Sequence, residues 1–348
     1  MQGVFFSPLR AMVLAAGMGS RLGGLSDELP KPLLPVCNHP LLSYALSLCR
    51  GHGIQDVAIN LHHLGHLITN TLGTGAQFGL DLHYSTETHL LGTGGGVRKM
   101  AHFLTHDLRE PCFVLNGKLV LDVDLEAVLA LHRVTGAVAT LVLKETPDAD
   151  TWGPVEVDMD GRICSILGHK APHKAKPPLF RCLFTGVQIV EPGLLLRLPK
   201  HEASCIVRQG YLPALSDGEI LSGFVMPGYF HEHSTPERFL RGNLKLLRDK
   251  TVLSHPPGPL VGVSPRAHVS SKATLSPPVC VGAGAVVSDG VHLGPEVVLG
   301  EGAVVQPGVE LRRCVVFPHT LVRKTEQSAI ITPRHTYPIV LPDETPLG

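Results

Sequence analysis

The run VGVSPR AHVSSK ATLSPP VCVGAG AVVSDG VHLGPE VVLGEG AVVQPG VELRRC VVFPHT, residues 261–320, decides half of the fold. Every sixth residue is small or aliphatic, from Val261, Ala267 and Ala273 through Val309 to Val315. Two places further on sits a second apolar residue, from Val263 and Val269 through Leu311 to Phe317. The ten hexads read in one phase. A six-residue repeat of this kind is the mark of a parallel β-helix, in which each hexad forms one face of a triangular coil and points its apolar residue inward. His268, His292 and His319 fall within the repeats, and His292 lies between two inward positions, so it points outward. A flat-faced, open-ended coil suits self-association, so a homo-oligomer is expected.

Upstream, residues 11–250 alternate short apolar runs with helical patterns. AMVLAA, DVAIN, LDLHYS, PCFVLNG and VATLVLKE read as buried strands. PLLSYALSLCRGHG, HLGHLITNTLG, GGVRKMAHFL and DLEAVLALHRVTG read as helices. This alternation predicts an α/β domain, Rossmann-like, with a mostly parallel mixed sheet. STPERFLRGNLKLL predicts a helix with Ser234 as its N-cap and Glu237 three residues on. The expected division is a first domain over 1–252, a linker over 253–260, a coil over 261–326 and a tail over 327–348.

Composition narrows the function. Thirty basic residues balance thirty acidic ones, which leaves no footprint for nucleic acid or an anionic membrane. No apolar stretch reaches transmembrane length. Eight scattered cysteines without paired spacing suit reduced thiols, so a cytoplasmic protein is expected.

LAAGMGSRLGGLSDELPKPLLPV follows the first strand. In a parallel sheet, ligands sit beyond the carboxyl ends of strands. A glycine turn at Gly17 and Gly19 lets backbone amides close on an anion. Arg21 offers a planar fork for phosphate oxygens and Lys31 a second cation. Pro30 and Pro32 predict an extended backbone at Lys31. His231-Glu232-His233 could place two imidazoles on one strand face, but no third metal ligand accompanies them, and rim positions are expected.

The phosphate-loop motif resembles the signature of sugar-1-phosphate nucleotidyltransferases, the NDP-sugar pyrophosphorylases. LGTGGGVRKM, VLNGKLVLDVD, FTGVQIVEPG and GYFHEHSTPERF continue the resemblance along the chain. The nearest subgroup looks like mannose-1-phosphate guanylyltransferases that carry a C-terminal left-handed β-helix. The resemblance implies an enzyme that joins an NTP, GTP favoured, to a sugar-1-phosphate, mannose-1-phosphate favoured, and releases pyrophosphate. Uridylyl or thymidylyl transfer to another sugar-1-phosphate is the alternative. It implies nucleotide contacts from Leu14, Ala15, Ala16, Gly17, Gly19, Thr93, Gly94 and Gly95. Arg21 and Lys31 would meet the phosphates, and Asn116 and Thr185 the sugar side. His169 and Lys170 lie near a further sugar contact of the family.

One position departs from that pattern. The family strand ends in Asn-Gly-Asp, whose aspartate holds Mg²⁺ together with a second acid. Here the first position is Lys118, and the second aligns with Glu232. At ~4 Å and an effective dielectric of ~20, unit charges interact by ~4 kcal/mol, so a divalent cation beside an ammonium is strongly disfavoured. Three readings stay open. Lys118 stands in for part of the metal's charge and pairs with Glu232, catalysis then depending less on Mg²⁺ or using a metal held by Glu232. Alternatively, the chain binds sugar nucleotide as a non-catalytic regulator. In the third, Lys118 turns to solvent and another acid serves, although Asp122 and Asp124 read better as a helix start.

Overall fold

A computed structural model describes residues 9–249 and 253–341. The outer parts of the expected terminal segments, and residues 250–252, lie outside the described residues. Those described form two compact units. One gathers residues 9–18, 45–117 and 121–230; the other gathers 19–44, 118–120 and 231–341. Residues 19–44, 118–120 and 231–249 are thus grouped with the coil.

The first unit is built on a ten-stranded sheet. Its strands are β1 (Ala11–Leu14), β2 (Asp56–Leu61), β3 (Asp81–Thr86), β4 (Cys112–Asn116), β5 (Ala139–Glu145), β6 (Val155–Val157), β7 (Ile163–Ile166), β8 (His169–Lys170), β9 (Phe180–Val190) and β10 (Leu221–Val225). The strands β3, β2, β1 and β4 run parallel, and β10 is parallel to β5. The eleven-residue β9 runs antiparallel to β4, β5 and β6, and β6, β7 and β8 form antiparallel turns. The sheet is therefore mixed, as expected, with more antiparallel pairing than the sequence suggests. The cause is the strand-rich stretch 155–190, which folds into hairpins and has no crossover helices to force parallel pairing.

Helices connect the parallel strands as the apolar spacing predicts. α1 (Leu41–Gly51), α2 (Gly65–Leu72), α3 (Gly92–Lys99) and α4 (Leu125–Thr135) fall on the expected segments. Asp124 caps α4 by accepting a hydrogen bond from the Ala127 amide at 3.0 Å. Val114, Met12, Ala58, Leu141 and Ile163 are buried together in the core.

The second unit contains three stacks of short parallel strands. In one stack Val279 lies beside Val297, a step of 18 residues, or three hexads. Ala285, Val287, Val291, Leu293, Ala303, Val305 and Leu311 fill the interior in the predicted alternation. The phase then slips. In the next turn of the same stack Val297 lies beside Cys314, a step of 17. The inward residues of the tenth hexad are thus Cys314 and Val316, in place of the expected Val315 and Phe317. Arg313, in the left-handed region at φ 53°, absorbs the missing residue. Phe317 points away from the coil interior and meets Phe239, ring centroids 6.0 Å apart. Strand pairing also runs past the expected end at 326, since Ala329–Ile331 joins the first stack and Thr336–Pro338 turns back on it.

One outer face of the coil is apolar as well. Cys280, Val298, Val315 and Ile330 occupy its outward positions, and all are buried. Cys37 and Asn38 bond to Cys280, while over Val315 and Ile330 lies α5 (Pro236–Arg248), which packs on Cys314–Val316 and Ala329–Ile331. Its N-cap is Thr235, whose hydroxyl accepts from the Arg238 amide at 3.2 Å; the expected Ser234 cap is one residue early. The reason is Pro236, which fits the first helical position and so sets the cap just before it. This face is occupied by the chain's own helix and is not open to a second copy.

The C-terminal turn reaches the segment that follows the glycine loop. Thr332 Oγ1 donates to Glu28 at 2.6 Å. A Cβ built on Gly24 would stand 2.5 Å from the Tyr337 hydroxyl. Gly24→Val is therefore expected to push Tyr337 off this segment and to lower the urea midpoint, with Tyr337→Ala relieving most of the loss in the double variant. Among the described residues no helix is long and apolar enough to cross a membrane, and all eight cysteines are free thiols.

Candidate active site

The carboxyl ends of β1, β2 and β4 are level, with Leu14 beside Asn60 on one side and Asn116 on the other. The loop that leaves β1 is anchored by a buried polar chain. The Ala15 amide donates to Asn60 Oδ1 at 2.7 Å, and Asn60 Nδ2 donates to Glu87 Oε1 at 2.8 Å. The other oxygen of Glu87 accepts from the Leu91 amide at 2.9 Å. Buried polar groups cost free energy unless paired, and here each has its partner. Asn60 and Glu87 thus fix both the glycine loop and the turn that opens α3. Sequence reading missed them, because each stands alone at the end of an ordinary strand.

Gly17 has an ordinary φ, and a Cβ there would meet nothing within 4 Å. The fold itself does not require glycine at this position, whereas close approach of a ligand would. Gly19 is different: its φ of 70° needs glycine for the turn. Ala15 and Ala16 are buried.

The second glycine run has a structural duty. The Gly94 amide donates to Ser204 O at 2.8 Å, and Thr93 Oγ1 accepts from the Ile206 amide at 3.0 Å. A Cβ on Gly95 would stand 2.4 Å from Glu202 O. The Gly94 amide and the Thr93 hydroxyl thus bond to the 202–206 segment, and Gly95 packs closely against it. The Thr185 hydroxyl donates to Val142 O at 2.8 Å. Gly186, at φ 89°, is needed because a Cβ there would stand 2.1 Å from Asn116 Nδ2. Lys170 is exposed on β8.

The charged cluster belongs to the second unit. Lys118 Nζ donates to Glu232 Oε1, Arg238 Nη1 lies 3.2 Å from Glu232 Oε2, and Arg21 Nη2 lies 3.9 Å from Glu232 Oε1. Glu232 is only 5% exposed. Burial pushes its carboxyl up, but Lys118, with Ser234 and Lys31, holds it below the usual range. Lys31 is a fourth cation in reach. Burial, aided by Lys118 and opposed by Glu232, brings its ammonium down to about 7. Lys31 stands at the start of one 3-10 turn, Lys31–Leu33, closed by the Leu34 amide on Lys31 O at 3.2 Å. The extended backbone expected there is found one residue earlier, at Pro30. Arg238 was not singled out in the sequence, although its place six residues after Glu232, in the first turn of α5, brings it back over the carboxylate.

One carboxylate among four cations is a seat for anions. It does not fit Mg²⁺, which needs several oxygen ligands. Both oxygens of Glu232 are engaged by cations in this structure, and Lys118 offers no oxygen. Lys118 turns to Glu232 and not to solvent, and Asp124 is spent on capping α4. His233 is fully buried and His231 Nε2 lies 2.8 Å from Arg238 O, so His233 is no rim residue.

A mixed sheet with a glycine loop at the ends of its parallel strands is an α/β arrangement in which ligands sit beyond the strand ends. A family model described as nucleotidyl transferase matches residues 10–176, and the chain resembles curated relatives that are sugar-1-phosphate nucleotidyltransferases. It is 32% identical over 239 residues to a mannose-1-phosphate guanylyltransferase of Mycobacterium tuberculosis, covering 68% of this chain and 64% of the relative. It is 31% identical over 205 residues to a UTP–glucose-1-phosphate uridylyltransferase of Synechocystis, covering 56% of this chain and 52% of the relative. The chain thus spans less than two thirds of the length of these curated relatives. The crystal structure of HddC from Yersinia pseudotuberculosis, also solved complexed with GMP-PN, is similar at a TM-score of 0.56 and 20% identity, over 68% of this chain and 99% of that one. At that identity the likeness concerns the fold.

Proposed function

We propose that the chain transfers a nucleotidyl group from an NTP to a sugar-1-phosphate, forming an NDP-sugar and pyrophosphate. The observation that carries this reading is the excess of cations around Glu232, which suits a polyphosphate whose charge shifts toward the leaving group. A phosphate oxygen of the sugar-1-phosphate attacks the α-phosphorus, and the bond to the departing pyrophosphate breaks. Positioning and charge stabilisation are the protein's share of such a reaction. Arg21 and Lys31 neutralise the pyrophosphate, Lys118 supplies positive charge where relatives of the resembled pattern use Mg²⁺, and Asn116 faces the sugar nucleotide. Leu14 to Gly17 hold the nucleotide by their backbone. GTP and mannose-1-phosphate are favoured, in keeping with the guanylyltransferase relative. The coil is read as a left-handed β-helix that serves self-association through a face other than the one under α5, in a cytoplasmic protein.

The engagement of both Glu232 oxygens favours one second reading, a regulator that binds the sugar nucleotide without transfer. Pyrophosphate release, measured for a panel of NTPs and sugar-1-phosphates with Mg²⁺, Mn²⁺ or EDTA, separates the two. Transfer predicts release for at least one pair. Nucleotide binding without release for any pair would overturn transfer in favour of the regulator.

A further inference from the structure

Outside the cation cluster, three side chains of different chemistry meet at the hairpin end of the mixed sheet. Asp158 follows β6, Cys164 lies in β7, and His173 lies in the loop after β8. One ligand atom from each lies within 4.8 Å of the others. Cys164 Sγ stands 3.6 Å from His173 Nε2. Zinc bonds of 2.3 Å to sulfur and 2.0–2.1 Å to nitrogen, at a tetrahedral angle, place those two atoms about 3.6 Å apart. Asp158 and Cys164 are both buried.

The geometry points to a transition-metal site at Asp158, Cys164 and His173, of the kind that takes Zn²⁺. A thiolate, an imidazole and a carboxylate form a donor set that suits zinc and is foreign to Mg²⁺. Two anionic ligands would neutralise the divalent charge, and a water would complete the tetrahedron. Asp158 keeps ligand capacity. Its Oδ1 accepts the Asp160 and Arg162 amides at 3.1 and 3.0 Å, while its Oδ2 has only a long bond from the Lys176 amide, at 3.3 Å. His173 Nδ1 is buried without a hydrogen-bond partner among the described residues. The Cys164 thiol donates weakly to Arg162 O at 3.4 Å and would give up its proton to solvent as the metal–sulfur bond forms. Arg162 lies beside both Cys164 and His173, a positive charge that the metal must tolerate. A bound ion would clip the 171–176 loop to the β6–β7 hairpin, directly after the strand that carries Lys170.

Cobalt is the probe, since Co²⁺ replaces zinc at such sites and its thiolate charge-transfer band reports a cysteine ligand. The full chain, loaded with Co²⁺ and freed of excess metal, is expected to retain about one equivalent and to show that band. Cys164→Ser should lose the band, and His173→Gln, in an exposed loop where folding is not at risk, should lose most of the retained metal. Zn²⁺ should raise the thermal midpoint of the parent and not of either variant. No retained metal in the parent, or equal retention and an unchanged band in both variants, would overturn the site. None of these readouts depends on nucleotidyl transfer.

Discussion

Glu232→Ala is expected to destabilise the chain by about 3 kcal/mol, at the low end for breaking a buried ion pair because its partners are partly exposed. The carboxylate is buried, whereas Lys118 and Arg238 are about one third exposed. The substitution removes the buried carboxylate that Lys118, Arg238 and Arg21 approach together. Urea unfolding of the full chain measures the effect. Lys118→Met should cost much less, since Arg238 still pairs with Glu232. Equal losses for the two single variants would mean that Glu232 is not the hub of the cluster.

Lys31→Met is expected to lower kcat/KM for pyrophosphate release by about 10²- to 10³-fold, the usual loss when a donor aimed at developing charge is removed. It is also expected to stabilise the protein below neutral pH. The Lys31 ammonium is brought to about 7 in the folded chain, from its ordinary value of 10.5. Between these two values the unfolded chain binds more protons, so stability rises with pH through that window. Below about pH 7 both states are protonated and the folded chain bears the whole penalty, which the methionine removes. The gain should vanish above about pH 10. A bound polyphosphate restores the proton to Lys31, so nucleotide affinity should fall as pH rises through 7. Loss of activity together with a gain in stability marks a functional group kept at a structural cost. A variant that is both inactive and less stable at pH 6 would point instead to a scaffold role for Lys31.

Much of the architecture was legible because it rests on periodicity. The hexads predicted the interior of the coil through Leu311, and the alternation upstream predicted β1 to β5 and α1 to α4. What was not legible depends on long-range packing. The slip at Arg313 turns on one residue, and Val315 and Phe317 are apolar for a second reason, the cover supplied by α5. The antiparallel run of β9 could not be read from its apolar pattern, since burial on both faces looks the same in either direction. At the site, Lys118 and Glu232 were brought together by resemblance. Arg238 could be found only when Thr235 and Pro236 fixed the start of α5. Thr93, Gly94 and Thr185 fit the motif, but each has a group bonded within the protein. A motif does not tell a glycine that admits a ligand from one that admits a neighbouring backbone.

The central claim is that Lys118 supplies the positive charge that a divalent cation supplies elsewhere. Its most direct test is pyrophosphate release by the parent and by Lys118→Asp, each titrated with Mg²⁺ from an EDTA-treated start. The account predicts that the parent turns over in EDTA and gains little from Mg²⁺, whereas Lys118→Asp is inactive until Mg²⁺ is added. A parent silenced by EDTA, with the same Mg²⁺ response as the variant, would contradict it.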